Sequence, residues 1–139
     1  RAHTRDLTAF GGLREKIPVF SAVLIFFSLA SLGLPGLSGF VGEFLSLLGA
    51  FNVFKVITIV SVLGIVITAA YFLLMIQRVL LGPSNTKWNT IAEINARELF
   101  TLIPLLVIVV VLGVYPKLAL DVINPALSTI LQTVGAGLP

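Results

Sequence analysis

The sequence predicts an all-α membrane protein in which three transmembrane crossings, the first of them discontinuous, are followed by an amphipathic helix on the membrane surface. Three observations lead there. Hydrophobic residues make up 58% of the chain and charged ones 11%, against about 25% charged in an ordinary soluble domain, and mean hydropathy is +1.10. The charges gather in clusters between apolar stretches of helical length, without the two-residue alternation of a membrane barrel. Within the first apolar stretch stands a helix-breaking run, Gly33-Leu34-Pro35-Gly36-Leu37-Ser38-Gly39-Phe40-Val41-Gly42, which leads into Glu43, the only acidic residue in any apolar span.

Residues 1–16 hold Arg1, His3, Arg5, Asp6, Arg14, Glu15 and Lys16 around Gly11-Gly12 and are expected to form a loop at the membrane surface. From Ile17 to Phe51 the only charge is Glu43. As one straight helix this stretch would measure roughly 50 Å, too long for a hydrocarbon core of about 30 Å. Pro35 lacks a backbone donor and clashes with the preceding turn, and Gly33, Gly36 and Gly39 loosen the backbone. Residues 17–51 are therefore expected to form one crossing broken at Gly33–Gly39, with two short crossings and a turn at Leu34-Pro35 as the alternative. Asn52 to Lys55 reads as a tight turn and residues 52–81 carry the second crossing, with Gly64 and Ala69-Ala70 suited to close helix contact.

Residues 82–97 form a second charged loop, in which Trp88 suits the headgroup interface. Thr90-Ile91-Ala92-Glu93 and Asn95-Ala96-Arg97-Glu98 both have capping-box spacing, and one of them is expected to start the third crossing, residues 98–115, which Gly113-Val114-Tyr115-Pro116 ends. In residues 116–139, Asn124 is expected to cap a helix with Pro125 in its first position. Leu127, Ile130, Leu131 and Val134 then share an apolar face that lies on the membrane surface or a partner. Three crossings put seven Lys and Arg of residues 1–16 and 78–97 on one side, and Lys55 and Lys117 on the other. This bias assigns the first side to the cytoplasm or its equivalent, and it weakens if the first stretch is two crossings.

A discontinuous helix is tolerated at membrane depth only where protein or water receives its unpaired backbone groups, as in transporters. An ionised carboxylate there is costly unless a cation or water compensates. Glu43 is therefore the candidate proton carrier, weighed against a Glu that only hydrogen-bonds a neighbouring helix. Ser38 and Ser46 flank it as candidate water ligands, although these two, like Ser21, Ser28 and Ser31, also suit interhelical hydrogen bonding. Lys55, three turns further on, is either a partner for Glu43 or a snorkelling interface residue. His3, the only histidine, is either a proton relay or a solvated surface residue. The absence of cysteine excludes disulfides, thiolate-bound metal and iron–sulfur clusters held by this chain. A net charge of +3 without a dense basic face excludes nucleic-acid binding. Beginning at Arg1 without methionine or a signal-peptide pattern, the chain is expected to be a fragment of something longer.

His3-Thr4-Arg5-Asp6, Gly11-Gly12-Leu13, the run from Gly33 to Phe44, and Gly113-Val114-Tyr115-Pro116 resemble the C-terminal part of the antiporter-like subunits of respiratory complex I, the NADH:quinone oxidoreductase. The resemblance covers essentially the whole chain. Among these subunits it is closest to the chain M family (subunit 4 in mitochondria), because Glu43 stands where the related chain L has a lysine. It implies that the three crossings are the last three of a fourteen-helix subunit, the first being the family's second discontinuous helix, and that Glu43 is the terminal carboxylate of a proton channel. The family's input-side glutamate and central lysine lie on helices that this chain lacks. The resemblance further implies a proton-translocating part of an enzyme that holds no cofactor itself, with NADH, flavin, iron–sulfur clusters and quinone in partner subunits. The expected partners are the lipid bilayer, the rest of the same subunit and neighbouring antiporter-like subunits, in a bacterial inner membrane or an equivalent energy-converting membrane. The rival readings are a subunit of a multi-subunit cation/proton antiporter or of a membrane-bound hydrogenase, which share the module, and a structural membrane anchor without transport.

Overall fold

The computed structural model describes residue 4 and residues 6–136, with side chains as far as residue 133. Arg1, His3 and Arg5 lie outside the described residues. Among the described residues six α-helices follow one another: α1 (Leu13–Lys16), α2 (Pro18–Ser31), α3 (Ser38–Val53), α4 (Lys55–Val79), α5 (Ala96–Val114) and α6 (Lys117–Ala136), with single 3-10 turns at Leu7–Ala9 and Thr86–Trp88. Helices α4 and α5 are long and apolar enough to cross a membrane, and α2 and α3 are apolar but shorter. Their outer faces are uncovered, with Val56 and Phe100 each 75% exposed. A core helix of a soluble protein would bury such residues.

The break between α2 and α3 is two standard devices in succession. Gly33, at φ +76°, ends α2 in the left-handed conformation. Its amide donates to Ala30 O (3.3 Å) and that of Leu34 reaches back to Leu29 O (3.2 Å), the paired bonds of a Schellman cap. Leu34-Pro35-Gly36-Leu37 then makes a turn closed by Leu37 N–H on Leu34 O (3.0 Å). Proline in second place and Gly36 at φ +93° in third is the arrangement of a type II turn. Gly39, expected in the break, is already helical; it lets α3 start against Ala30, whose carbonyl oxygen occupies the space a Cβ would need.

The two halves progress in one direction. Helix α4, 25 residues, is about 37 Å long. Its last turn places Ile76, Val79 and Leu80 on Leu13 and Ile17, at the start of α2. Its first turn joins α3 through the single non-helical residue Phe54 (φ −126°, ψ 64°), so the expected turn over Asn52 to Lys55 shrinks to one position. The end of α3 therefore lies a full α4 length from the start of α2. Had α2 and α3 formed a hairpin, Val53 would have returned to the level of Ile17. Helix α3 packs on α4 and α5, and only slightly on α2.

The buried core sits at one end, where the two charged loops clasp each other. Leu13, Ile17, Ile76, Val79, Leu80 and Trp88 form it. Gly12, at φ +61°, lies so close to the second loop that a Cβ would stand 2.5 Å from Ser84 Cα. Trp88 packs inside this clasp: it is 7% exposed, stacks on Phe10 with ring centroids 5.0 Å apart, and donates its indole N–H to Ala9 O at 2.8 Å. The loop had an internal use for its one indole. Nearby, Thr8 gives both its N–H and its hydroxyl to the Asp6 carboxylate (2.9 and 2.8 Å), which holds that carboxyl below its ordinary range.

One further expectation is met and two are corrected. Of the two capping-box candidates, Asn95 and Glu98 make the reciprocal pair that starts α5. Glu93 instead reaches the N-terminus of α2, 74 and 73 residues away, where its oxygens accept from Val19 N–H (3.0 Å) and Phe20 N–H (3.1 Å). Ile17 offers that helix no side-chain cap of its own. Ser21 and Ser28 donate to their own helix, to Ile17 O and Leu24 O, and not across to another. Finally, Asn124 and Pro125 lie inside α6, which begins directly after Pro116 with Ala119 and Leu120 donating to the Pro116 carbonyl (3.0 and 3.1 Å). An interior proline forfeits one ladder bond, and the carbonyl left over belongs to the exposed Asp121. Leu127, Ile130 and Leu131 on α6 are exposed, while the side chain of Val134 lies outside the described ones.

The Glu93 contact has a local consequence. Loss of an N-terminal cap costs about 0.5–2 kcal/mol, so Glu93→Ala should speed amide hydrogen exchange at Val19 and Phe20 while leaving the middle of α4 unchanged. Unaltered exchange at those two amides would remove Glu93 from this role.

Candidate functional site

Glu43 sits in the second turn of α3, on the face that carries Gly39, Ser46 and Leu47. Helical side chains lean toward the N-terminus of their helix, and this one leans back into the break. A Cβ built on Gly33 would collide with Glu43 Oε2. The carboxyl group is half-buried, tucked against the Schellman glycine. Helix α5 closes the break from the other side, where Gly113 touches the Gly36 carbonyl and Leu37 Cα so closely that no Cβ fits.

Beyond Glu43 a groove of about 450 Å³ opens between α3 and α4, lined by Gly42, Glu43, Ser46 and Leu47 from the first helix and by Ser61, Gly64, Ile65 and Thr68 from the second. The order of these residues is antiparallel, as the bend at Phe54 requires. Gly64 was expected to bring helices into close contact; here nothing lies within 4 Å of its would-be Cβ. Ser61 donates its hydroxyl to Ile57 O and Thr68 to Gly64 O, each at 2.9 Å.

Of the candidate proton-transfer residues, Glu43 and Ser46 share this groove. Ser38 does not line it, being about 140° around the helix from Glu43 at 100° per residue. Lys55 is exposed at the Phe54 bend, beside Asn52 and Phe54 in a separate depression. Roughly 15 Å of α3 separates that bend from Glu43, so the structure does not pair the two charges. His3 lies outside the described residues. Ser61 and Thr68 escaped sequence reasoning, although hydroxyls seven apart with Gly64 between them mark one face of an otherwise apolar helix. Among the described residues no group of three or more His, Cys, Asp and Glu side chains gathers as a metal site does.

The two positive-φ glycines of the break separate backbone strain from carboxylate position. Alanine at either costs about 1–2 kcal/mol in the left-handed region, but only Gly33→Ala intrudes on Glu43, since nothing lies near Gly36. Isotope-edited infrared spectroscopy should therefore show the Glu43 carboxyl band displaced in Gly33→Ala and unmoved in Gly36→Ala. Equal displacement in both would mean the carboxylate does not depend on contact with Gly33.

The model of the family described as NADH:quinone oxidoreductase/Mrp antiporter, transmembrane, matches residues 1–68, a range that contains the break and Glu43. The chain is 44% identical over 138 residues to NADH-quinone oxidoreductase subunit M of Pseudomonas aeruginosa, covering 99% of this chain and 27% of that protein. It is 41% identical over 133 residues to NADH-ubiquinone oxidoreductase chain 4 of Arabidopsis thaliana, covering 95% of this chain and 27% of that one. In respiratory complex I from Thermus thermophilus with bound NADH, one chain superposes with a TM-score of 0.77 at 29% identity, over 84% of this chain and 24% of its own length. The chain thus spans about a quarter of the length of these relatives. With relatives alike along nearly its whole length, the chain belongs to the NADH:quinone oxidoreductase/Mrp antiporter family of membrane proteins.

Proposed function

We propose that this chain is a proton-translocating segment of an antiporter-like subunit in the membrane arm of an NADH:quinone oxidoreductase, with Glu43 as its channel carboxylate. The observation that carries the reading is the position of that carboxylate, which lies against Gly33 in the break on one side and faces the groove between α3 and α4 on the other. A group so placed stands between the break and the groove within an apolar stretch. It accepts a proton from one and delivers it to the other, which is the elementary act of a translocation path. Ser46, one turn further along α3, is the water ligand in this reading. Ser38 serves the break side, Lys55 anchors the far end of the crossing, and His3 belongs to the charged loops.

The carriers of electrons, namely NADH, flavin, iron–sulfur clusters and quinone, belong in this reading to partner subunits. The remainder of the same subunit and neighbouring antiporter-like subunits cover the exposed faces of α4 and α5, in a bacterial inner membrane or an equivalent energy-converting membrane. The relatives named as oxidoreductase subunits favour this assembly over a free-standing cation/proton antiporter or a hydrogenase.

Quinone-reductase activity and proton uptake in vesicles, normalised to assembled complex, test the role of Glu43. Glu43→Gln keeps size and polarity but carries no exchangeable charge, so both activities should fall together and by at least several-fold. Glu43→Asp should retain much more. A Gln variant equal to wild type in both assays makes Glu43 a structural residue and the chain a membrane anchor. Sidedness follows from the broken crossing, seven Lys and Arg against two, and the clasp between the two charged loops. Single cysteines at positions 14 and 87 should react from one face, and cysteines at 55 and 117 from the other. Labelling of 14 and 55 from the same face sinks the single broken crossing.

A further inference from the structure

We infer that the groove between α3 and α4 is a water site that takes the proton from Glu43, with Ser61 and Thr68 of α4 as the residues that position the water. This rests on the reading of Glu43 as a channel carboxylate and extends it to the opposite wall. The chemistry of that wall carries the argument. Ser61 and Thr68 each have one hydroxyl hydrogen, and both are committed to carbonyls of their own helix, Ile57 O and Gly64 O at 2.9 Å. What these side chains present to the groove is therefore acceptor lone pairs only. An ionised Glu43 on the facing helix is likewise acceptor-only. Apart from the Ser46 hydroxyl, which can donate as well as accept, the polar side chains that line this space offer acceptors and favour a guest rich in donor hydrogens; in a groove of about 450 Å³ that guest is water carrying a proton. Gly42 and Gly64 leave the room, because a Cβ at either would meet nothing within 4 Å.

The transfer balances simply. The O–H bond of the Glu43 carboxylic acid breaks, the proton joins a groove water to give hydronium, and a carboxylate remains to be reloaded from the break. Ser61 and Thr68 accept hydrogen bonds from that hydronium and its neighbours, and lower the cost of its charge. They are positioning residues, since neither gains or loses a proton.

The test uses the assembled complex in membrane vesicles, with quinone reduction and proton uptake measured in sodium-free and sodium-containing buffer. The double variant Ser61→Ala with Thr68→Val removes both acceptors at nearly constant volume. It should slow both activities several-fold in either buffer, at unchanged assembly. The hydroxyl-keeping exchange Ser61→Thr with Thr68→Ser should stay near wild type, and Gly64→Leu, which fills the groove, should be at least as impaired as the double variant. Wild-type rates in the acceptor-free variant overturn the proposal, as does an equal loss in the hydroxyl-keeping one, which would signal packing. A loss seen only with sodium present also overturns it, because the guest would then be a metal cation. Glu43→Gln measured alongside separates the two ideas: impaired Glu43→Gln with a normal acceptor-free variant refutes the groove alone, whereas normal Glu43→Gln refutes the channel carboxylate itself.

Discussion

At membrane depth no bulk water is available to a stray amide or carbonyl, and this requirement governs the break at Leu32 to Leu37. The chain meets part of it from within. The Schellman bonds from Gly33 and Leu34, the turn bond from Leu37 and the first bond of α3, from Phe40 to Leu37 O at 3.2 Å, follow one another without a gap of more than a few residues. These bonds let α2 stop and α3 restart inside an apolar stretch, while the amides of Gly36, Ser38 and Gly39 and the carbonyls of Gly33, Pro35 and Gly36 make no backbone bond and call for protein or water. The rest of the arrangement depends on it: α3 is displaced sideways onto α4 and α5, Glu43 is turned back over Gly33, and a groove is left beyond it.

Local chemistry was legible in the sequence and long-range chemistry was not. Pro35 with its glycines announced the interruption, because the effects of proline and glycine on φ and on donors act within a few residues. The start of α5 was readable as one of two equivalent boxes, and only the tertiary structure could separate them: Glu93 is needed at α2, a partner more than seventy positions away that no spacing rule reaches. Trp88 shows the same limit. Its indole suits a headgroup boundary by type, but that Ala9 O and the ring of Phe10 fold against it is a contact between remote positions. In α6 local reasoning failed outright, since Asn124-Pro125 is a good helix start that a helix already begun at Lys117 overrode.

For the site, the charged member stood out and its setting did not. A single carboxylate in an apolar span can be read from one helix, but which residues face it depends on how α4 is rotated after Phe54. Hydroxyls add to the difficulty. Each of Ser61, Thr68, Ser21 and Ser28 satisfies its hydrogen on its own helix, so a serine or threonine in a crossing is neutral as a donor, and only the lone pairs it shows to a neighbour distinguish one from another.

The contact between Gly113 and the turn at Gly36-Leu37 ties together parts of the chain that are remote in sequence. Helix α5 is anchored at its first turn by the loop whose Glu93 also holds the start of α2, and it arrives at the break with bare backbone against bare backbone. Loop, rod and turn thus close a mechanical circuit around α2. A displacement at the charged end of the bundle, such as a neighbouring subunit leaning on the loop, has a stiff route of about 28 Å to the hinge beside Glu43. The same closeness that forbids a methyl group at position 113 makes that route short of slack.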